Sequence, residues 1–222
     1  IGTGLRGQWM TKLLLDRSDV DIPVICDIDE KMIDKVLNVF ETQGRPKPKV
    51  YNDGPEDFRN MVSNEDLDGV YIATPWEWHQ SLFEYATELG VTIFSSPFDM
   101  TAVDLLEELG CPIYKIASFE AMDLPLIQRV AETGKPLIVS TGVINDTQIE
   151  EMIETVYKTN NENLTLLHCI SQYPTKTEDF NLNTIPNMKK RFGVKVGLSD
   201  HSMNNTAALI SIGFGVEVLE KH

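Results

Sequence analysis

The sequence predicts a parallel α/β protein: a partial open parallel sheet followed by an incomplete (β/α)8 barrel of six βα units. Three observations predict it. Apolar strand-like runs alternate with amphipathic helical stretches along all 222 residues, and strict alternation builds βαβ units with parallel sheets. A Gly-x-Gly-x-x-Gly turn, Gly2 to Gly7, opens the first helical stretch. The later strand-like runs all end in ionisable or hydroxyl side chains, as strands do where their C-terminal ends share one functional face.

Taken in order, Trp9, Met10, Leu13 and Leu14 fall on one helical face, and residues 22–26 read as a buried strand. Met32, Ile33, Val36, Leu37 and Phe40 mark a second helix, ended by Gly44 and the Pro46 to Pro48 stretch. A short strand at Val50 and Tyr51 precedes a turn at Asn52, Asp53, Gly54 and Pro55. A helix over about residues 55–63 then leads to a strand at 69–73. Beyond it, strands are expected near 91–95, 113–117, 136–140, 164–169, 194–198 and 216–219, with helices between. The expected domains are 1–79 and 80–222.

The bulk numbers narrow the function classes. With 42% hydrophobic residues the chain can bury a real core. Its 19 basic against 34 acidic residues give a formal charge of −15, which repels phosphate backbones and anionic membranes, so no nucleic-acid partner is expected. No apolar run approaches the roughly 18–20 residues of a membrane span, and no basic segment precedes an apolar one as in a secretory leader. Cys26, Cys111 and Cys169 match neither zinc nor CxxC spacing and are read as reduced core thiols of a cytoplasmic protein. The chain starts at Ile1 without Met and stops at His222 straight after a strand pattern, so both ends are expected to be cut.

Gly2, Gly4 and Gly7 allow backbone N–H groups to approach a pyrophosphate at a helix N-terminus, and Asp27, at the end of the next strand, is placed to bind a ribose 2′-hydroxyl. The bland alternative is a tight strand-to-helix turn beside a surface aspartate. Asp27 favours NAD over NADP, while Lys31 and Lys35 nearby keep NADP open. Together with "VYIATPWEWH", residues 1–79 resemble the Rossmann-type N-terminal half of the Gfo/Idh/MocA oxidoreductases. That resemblance implies NAD(P) over Gly4, Gly7 and Asp27, with Thr74, Pro75 and His79 near the cofactor. The family's catalytic lysine motif is absent: the next strand reads "TIFSSP".

In the second half, Lys115 lies inside an apolar strand, where an unpaired ammonium is costly. It needs an anion: either a ligand phosphate, with Ser96, Ser118 and Ser140 as neutral donors, or a structural partner, Glu120. His201 and His222 end neighbouring strands and are read either as two ligands of one divalent cation or as satisfied core groups. His168, deeper in "LTLLHC", is read as a core or supporting residue.

Residues 74–222 resemble the sialic acid synthase family, in particular its pseudaminic acid synthase branch, through "TPWEWHQSLFEYATELGVTIFSSPFD", "YKIASFEAMDLPLI", "KPLIVSTG", "LLHCISQYPT", "GLSDHS" and "EKH". The resemblance implies a TIM-type barrel that condenses phosphoenolpyruvate with an acylated amino-sugar aldehyde and releases phosphate. It implies that Lys115, Ser118, Ser140 and Ser96 hold phosphoenolpyruvate, that Glu120 and Tyr173 face the sugar, and that His201 and His222 bind Mn2+ or Mg2+. Ser171 stands where many relatives have Asn, which weakens that contact. The family's first two barrel strands and its C-terminal domain have no counterpart here, so impaired activity is expected; a homodimer is expected only with that domain. The two resemblances overlap at Thr74 to His79, the expected seam of a chimeric chain.

Overall fold

The computed structural model describes residues 1–74, 78–90 and 92–221. Pro75 and His222 lie outside the described residues, as does the side chain of His79. The chain forms two compact units, Ile1–Leu89 and Gly90–His222.

In the first unit, α1 (Leu5–Leu15) leads to β1 (Val24–Cys26), α2 (Glu30–Thr42), β2 (Lys49–Tyr51), α3 (Asp57–Asn64) and α4 (His79–Glu88). β1 and β2 pair in parallel, Val24 opposite Lys49 and Cys26 opposite Tyr51. The Asp29 side chain accepts the N–H groups of Lys31 and Met32 and so caps α2. Ile33, Val36 and Phe40 form the buried face of that helix against Leu15 and Ile25. A second cluster joins Cys26, Tyr51, Phe58, Met61 and Leu82.

The strand expected at 69–73 is not formed. Tyr71 and Ala73 instead flank Ile1: the Ile1 amine donates to Tyr71 O at 2.6 Å, and Ala73 N–H donates to Ile1 O at 2.8 Å. Gly2 N–H in turn donates to Cys26 O at 2.9 Å, which sets residues 1–2 between β1 and residues 71–73. Of the three strands expected in this half, two form, and residues 71–73 are an extended segment beside Ile1.

In the second unit, α5 (Met100–Glu108), β3 (Tyr114–Ile116), α6 (Leu124–Ala131), β4 (Leu137–Ser140), α7 (Asp146–Tyr157), β5 (Leu164–Cys169), α8 (Thr184–Phe192), β6 (Lys195–Asp200), α9 (Thr206–Gly213) and β7 (Leu219–Lys221) follow in order. The sheet runs β3-β4-β5-β6-β7, every neighbour parallel. Six βα units were expected; five strands form among the described residues, and the 91–95 segment contributes a single bridge, Ser95 to Tyr114.

Local chemistry explains the helix starts: Asp99 caps α5, Asp123 caps α6 with a proline in its first turn, and Asn145 and Gln148 form a reciprocal capping box on α7. Gly193, at φ 67°, ends α8 in the left-handed conformation that favours glycine. Ile127, Val130, Met152, Val156 and Ile185 on the helices pack into a core with Ile116, Val139, Leu166 and Val196 on the strands, all fully buried. Each such side chain contributes about 1.5–3 kcal/mol on burial.

Candidate active site

Alternation along the strands sorts the side chains. Tyr114 points to the helix layer, where its hydroxyl donates to Glu107 at 2.6 Å, and Lys115 points the other way. There Lys115 Nζ donates to Ser140 Oγ at 2.8 Å and to Ile116 O at 3.4 Å, and forms an ion pair with Glu220 at 3.2 Å. β3 and β7 are the two edges of the sheet, about 19 Å apart if it were flat at roughly 4.8 Å per strand. A lysine and a glutamate cannot together span that gap. The ion pair therefore requires a sheet curled like part of a barrel, with Lys115, Ser140, Ser199 and Glu220 facing the inside.

The counter-ion of Lys115 is thus Glu220, which corrects the expected structural partner, Glu120. Glu120 sits in a 3-10 turn, Glu120–Met122, after the strand, and its Oε2 is buried without a hydrogen-bond partner among the described residues. The turn carries the carboxylate away from the β3 axis, so five residues of separation in sequence do not become a contact.

Glu220 Oε1 accepts the Ser199 hydroxyl at 2.6 Å, and Ser199 Oγ lies 3.2 Å from His201 Nε2. His201 Nδ1 is 2.7 Å from the carbonyl of Ile170, which can only accept, so Nδ1 carries the proton and Nε2 presents its lone pair in the neutral ring. Tyr173 stacks on that ring, centroids 4.1 Å apart, with its hydroxyl 3.1 Å from Nε2. Burial, then the nearby Cys169 and Glu220, raise the Tyr173 phenol above its ordinary range and keep it a donor. An imidazole anchored to a carbonyl through Nδ1, with Nε2 turned toward the Tyr173 and Ser199 hydroxyls, is in the tautomer that a divalent cation requires. Among the described residues no group of three or more His, Cys, Asp or Glu forms a metal cluster. His201 alone of the expected pair can therefore be tested for fit, and it fits.

Ser118 Oγ accepts the Gly142 N–H at 3.2 Å and lies 3.3 Å from Cys169 Sγ. Gly142 has no room for a side chain: a Cβ would stand 2.5 Å from Ser171 Oγ and 2.6 Å from Cys169 Sγ. Ser118, Ser171, Cys169 and Gly142 therefore converge. Ser96 stands next to Ser95, whose carbonyl accepts the Lys115 N–H at 3.3 Å. His168 is buried in β5 with Nε2 2.6 Å from Phe180 O; burial lowers its pKa, against that hydrogen bond. It braces the loop that carries Tyr173.

The glycine turn of the first unit builds a second site. Gly2 has φ +87°, and a Cβ on it would stand 2.6 Å from Ala73 O; a Cβ on Gly7 would stand 2.1 Å from Gly2 O. Above Gly4 there is nothing within 4 Å of a Cβ, and no side chain caps α1. Thr3 donates from N at 2.5 Å and from Oγ1 at 2.8 Å to Asp27 Oδ2, while Asp29 N–H donates to Oδ1. Burial raises the Asp27 pKa, but these hydrogen bonds outweigh it and hold the carboxylate below its usual range. A cavity of about 500 Å³ opens here, lined by Gly2, Gly4, Asp27, Met32, Thr74 and Trp78 among others. Thr74 Oγ1 is buried and without a hydrogen-bond partner among the described residues.

Sequence reasoning passed over Ser199, Glu220, Cys169 and Gly142. Ser199 and Glu220 lie in the quoted "GLSDHS" and "EKH" segments, and their alternation with Asp200 and Lys221, which pair with each other at 3.1 Å, was the available signal.

The NeuB family model matches residues 59–222. The match begins ahead of Thr74, so the family's pattern runs through the hexapeptide where a seam was expected. The chain is similar to pseudaminic acid synthase of Helicobacter pylori, 47% identical over 164 residues, which are 73% of this chain and 48% of that protein. It is 42% identical over 149 residues to pseudaminic acid synthase of Campylobacter jejuni, covering 67% of this chain and 43% of that one. Among solved structures it resembles spore coat polysaccharide biosynthesis protein spsE from Bacillus subtilis, with TM-score 0.63, 25% identity, and coverage of 97% and 54%. The chain spans about half the length of the curated relatives it matches.

Proposed function

Because the chain belongs to the NeuB family, we propose that its second unit carries the phosphoenolpyruvate side of a condensation with an acylated amino-sugar aldehyde. The product is a nonulosonic acid of the pseudaminic or sialic type. C3 of phosphoenolpyruvate bonds to the aldehyde carbon, water adds at C2, and the C2–O bond breaks to release phosphate. The observation that carries this reading is the buried Lys115 ammonium on the inner face of a curled parallel sheet, held by Ser140 and by Glu220, which Ser199 holds in turn.

In this reading Lys115, with Ser96, Ser118 and Ser140, binds the phosphate and carboxylate of phosphoenolpyruvate, because a buried ammonium with hydroxyl neighbours stabilises an oxyanion in low dielectric. Glu120 and Tyr173 orient the sugar, and Ser171 takes the place of an amide contact. A divalent cation, Mn2+ or Mg2+, would be held by His201 Nε2 with His222 and would polarise the aldehyde carbonyl. The test is saturable binding of phosphoenolpyruvate by calorimetry, together with phosphate release on adding the aldehyde sugar. Absence of binding, or of any phosphate release, overturns the function.

A second reading concerns the first unit alone: it binds a dinucleotide, NAD rather than NADP. The open space above Gly4, the uncapped start of α1 and the ionised Asp27 support it, since Oδ1 keeps a lone pair for a ribose hydroxyl. Titration with NADH, read by its fluorescence, tests it: saturation lost in Asp27→Ala supports it, and no response refutes it.

A further inference from the structure

We propose that Glu220 is an internal counter-ion occupying the anion position of Lys115, so that a phosphate ligand binds by displacing a carboxylate the protein already holds there. The inference rests on the anion-binding role proposed for Lys115 and adds what competes with the ligand. An ammonium has three hydrogens, and Lys115 Nζ has three partners: Ser140 Oγ, Ile116 O and Glu220 Oε2. An incoming oxyanion must therefore replace one of them.

Ser140 is 3% exposed and Ile116 is fully buried within the sheet, so neither yields. The Glu220 side chain is 25% exposed against 10% for that of Lys115, which puts it at the open side of the pair. It is also the one partner whose charge repels a phosphate. Glu220 is held in place from its other oxygen by the Ser199 hydroxyl at 2.6 Å. Ser199 is therefore one latch on the carboxylate, and the Lys115–Glu220 pair presents no net charge while Glu220 stays in place.

The measurement is a calorimetric titration of the full chain with inorganic phosphate. Glu220→Gln keeps an acceptor for Ser199 and nearly the same volume while removing the competing charge; phosphate should bind at least tenfold more tightly than to the unaltered chain. Ser199→Ala, which removes that hydrogen bond and alters neither charge, should tighten binding by a smaller factor of two or more. Lys115→Met should abolish binding alone and in combination with Glu220→Gln. Equal or weaker phosphate binding by both Glu220→Gln and Ser199→Ala, with Lys115 still required, overturns the counter-ion role and leaves the proposed function standing. Phosphate binding that is absent throughout, or indifferent to Lys115→Met, overturns both.

Discussion

Gly142→Ala is the substitution whose consequence the geometry defines most closely. The new Cβ would stand 2.5 Å from Ser171 Oγ, 2.6 Å from Cys169 Sγ and 3.1 Å from Ser118 Oγ. Ser171 is exposed and can swing its hydroxyl away. Cys169 is 4% exposed at the end of β5, and Ser118 Oγ stands beside its sulfur at 3.3 Å and 3.1 Å from the new Cβ, so relief has to come from a shift of a buried side chain. Overpacking of this kind costs about 1–3 kcal/mol, while loss of glycine's freedom in the unfolded chain returns about 0.4–1 kcal/mol. The net loss of about 1–2 kcal/mol corresponds to a fall of roughly 2–8 °C in the unfolding temperature for a protein of this size. Scanning calorimetry measures it. The clash is specific, so Cys169→Ala should cost stability alone yet restore most of the loss in the Gly142→Ala background, a coupling of about 1 kcal/mol in a double-mutant cycle. An unchanged transition in Gly142→Ala, or strictly additive losses, would refute the packing argument.

His168 predicts a pH dependence. Burial holds its pKa below the ordinary 6.5 in the fold, so between the two values the unfolded chain binds more protons. Its contribution is complete above pH 6.5 and lost as pH falls below it, by at most about 1.4 kcal/mol per pH unit. Urea unfolding at pH 7 and pH 5 should show this loss, reduced in His168→Gln; equal losses in both proteins would remove His168 as the source. Gly7→Ala would drive a Cβ into Gly2 O at 2.1 Å, and both atoms belong to backbone that cannot rotate aside. It should cost about 3 kcal/mol and abolish any NADH response, while retained binding would show that the glycine turn is not the nucleotide cradle. Asp123→Ala removes the acceptor for Leu126 N–H at the start of α6 and should cost about 1 kcal/mol in the same unfolding assay.

The parallel sheet of the second unit was legible because its strands are long apolar runs bounded by turn residues. β5 is buried at all six positions, and β4 and β6 keep their expected places within a residue or two. The edges were not legible. Pairing is a property of two segments, so the strand-like pattern at 69–73 does not by itself specify a ladder, and the segment makes only isolated bonds to Ile1. In the same way, 91–95 reduces to one bridge at Ser95. The need of Lys115 for an anion was readable from its apolar surroundings. Its partner was not, because Glu220 comes from the far edge of the sheet, and only the curl of the sheet closes that distance. Glu120, the alternative to a ligand anion, was suggested by proximity in sequence, and it lies in a 3-10 turn after β3 while Lys115 pairs with Glu220. Cys169 read as a core thiol and Gly142 only as the end of "KPLIVSTG", and their convergence on Ser118 and Ser171 depends on which faces of neighbouring strands meet.

The central claim is that Lys115, inside the curled sheet, is the phosphoenolpyruvate-binding cation. Calorimetric titration of phosphoenolpyruvate into the unaltered chain, Lys115→Met and Gly7→Ala addresses it directly. The account predicts one-site binding in the unaltered chain, loss of that binding in Lys115→Met, and unchanged affinity in Gly7→Ala. Binding that survives Lys115→Met, or that disappears in Gly7→Ala while the second unit stays folded, would contradict it.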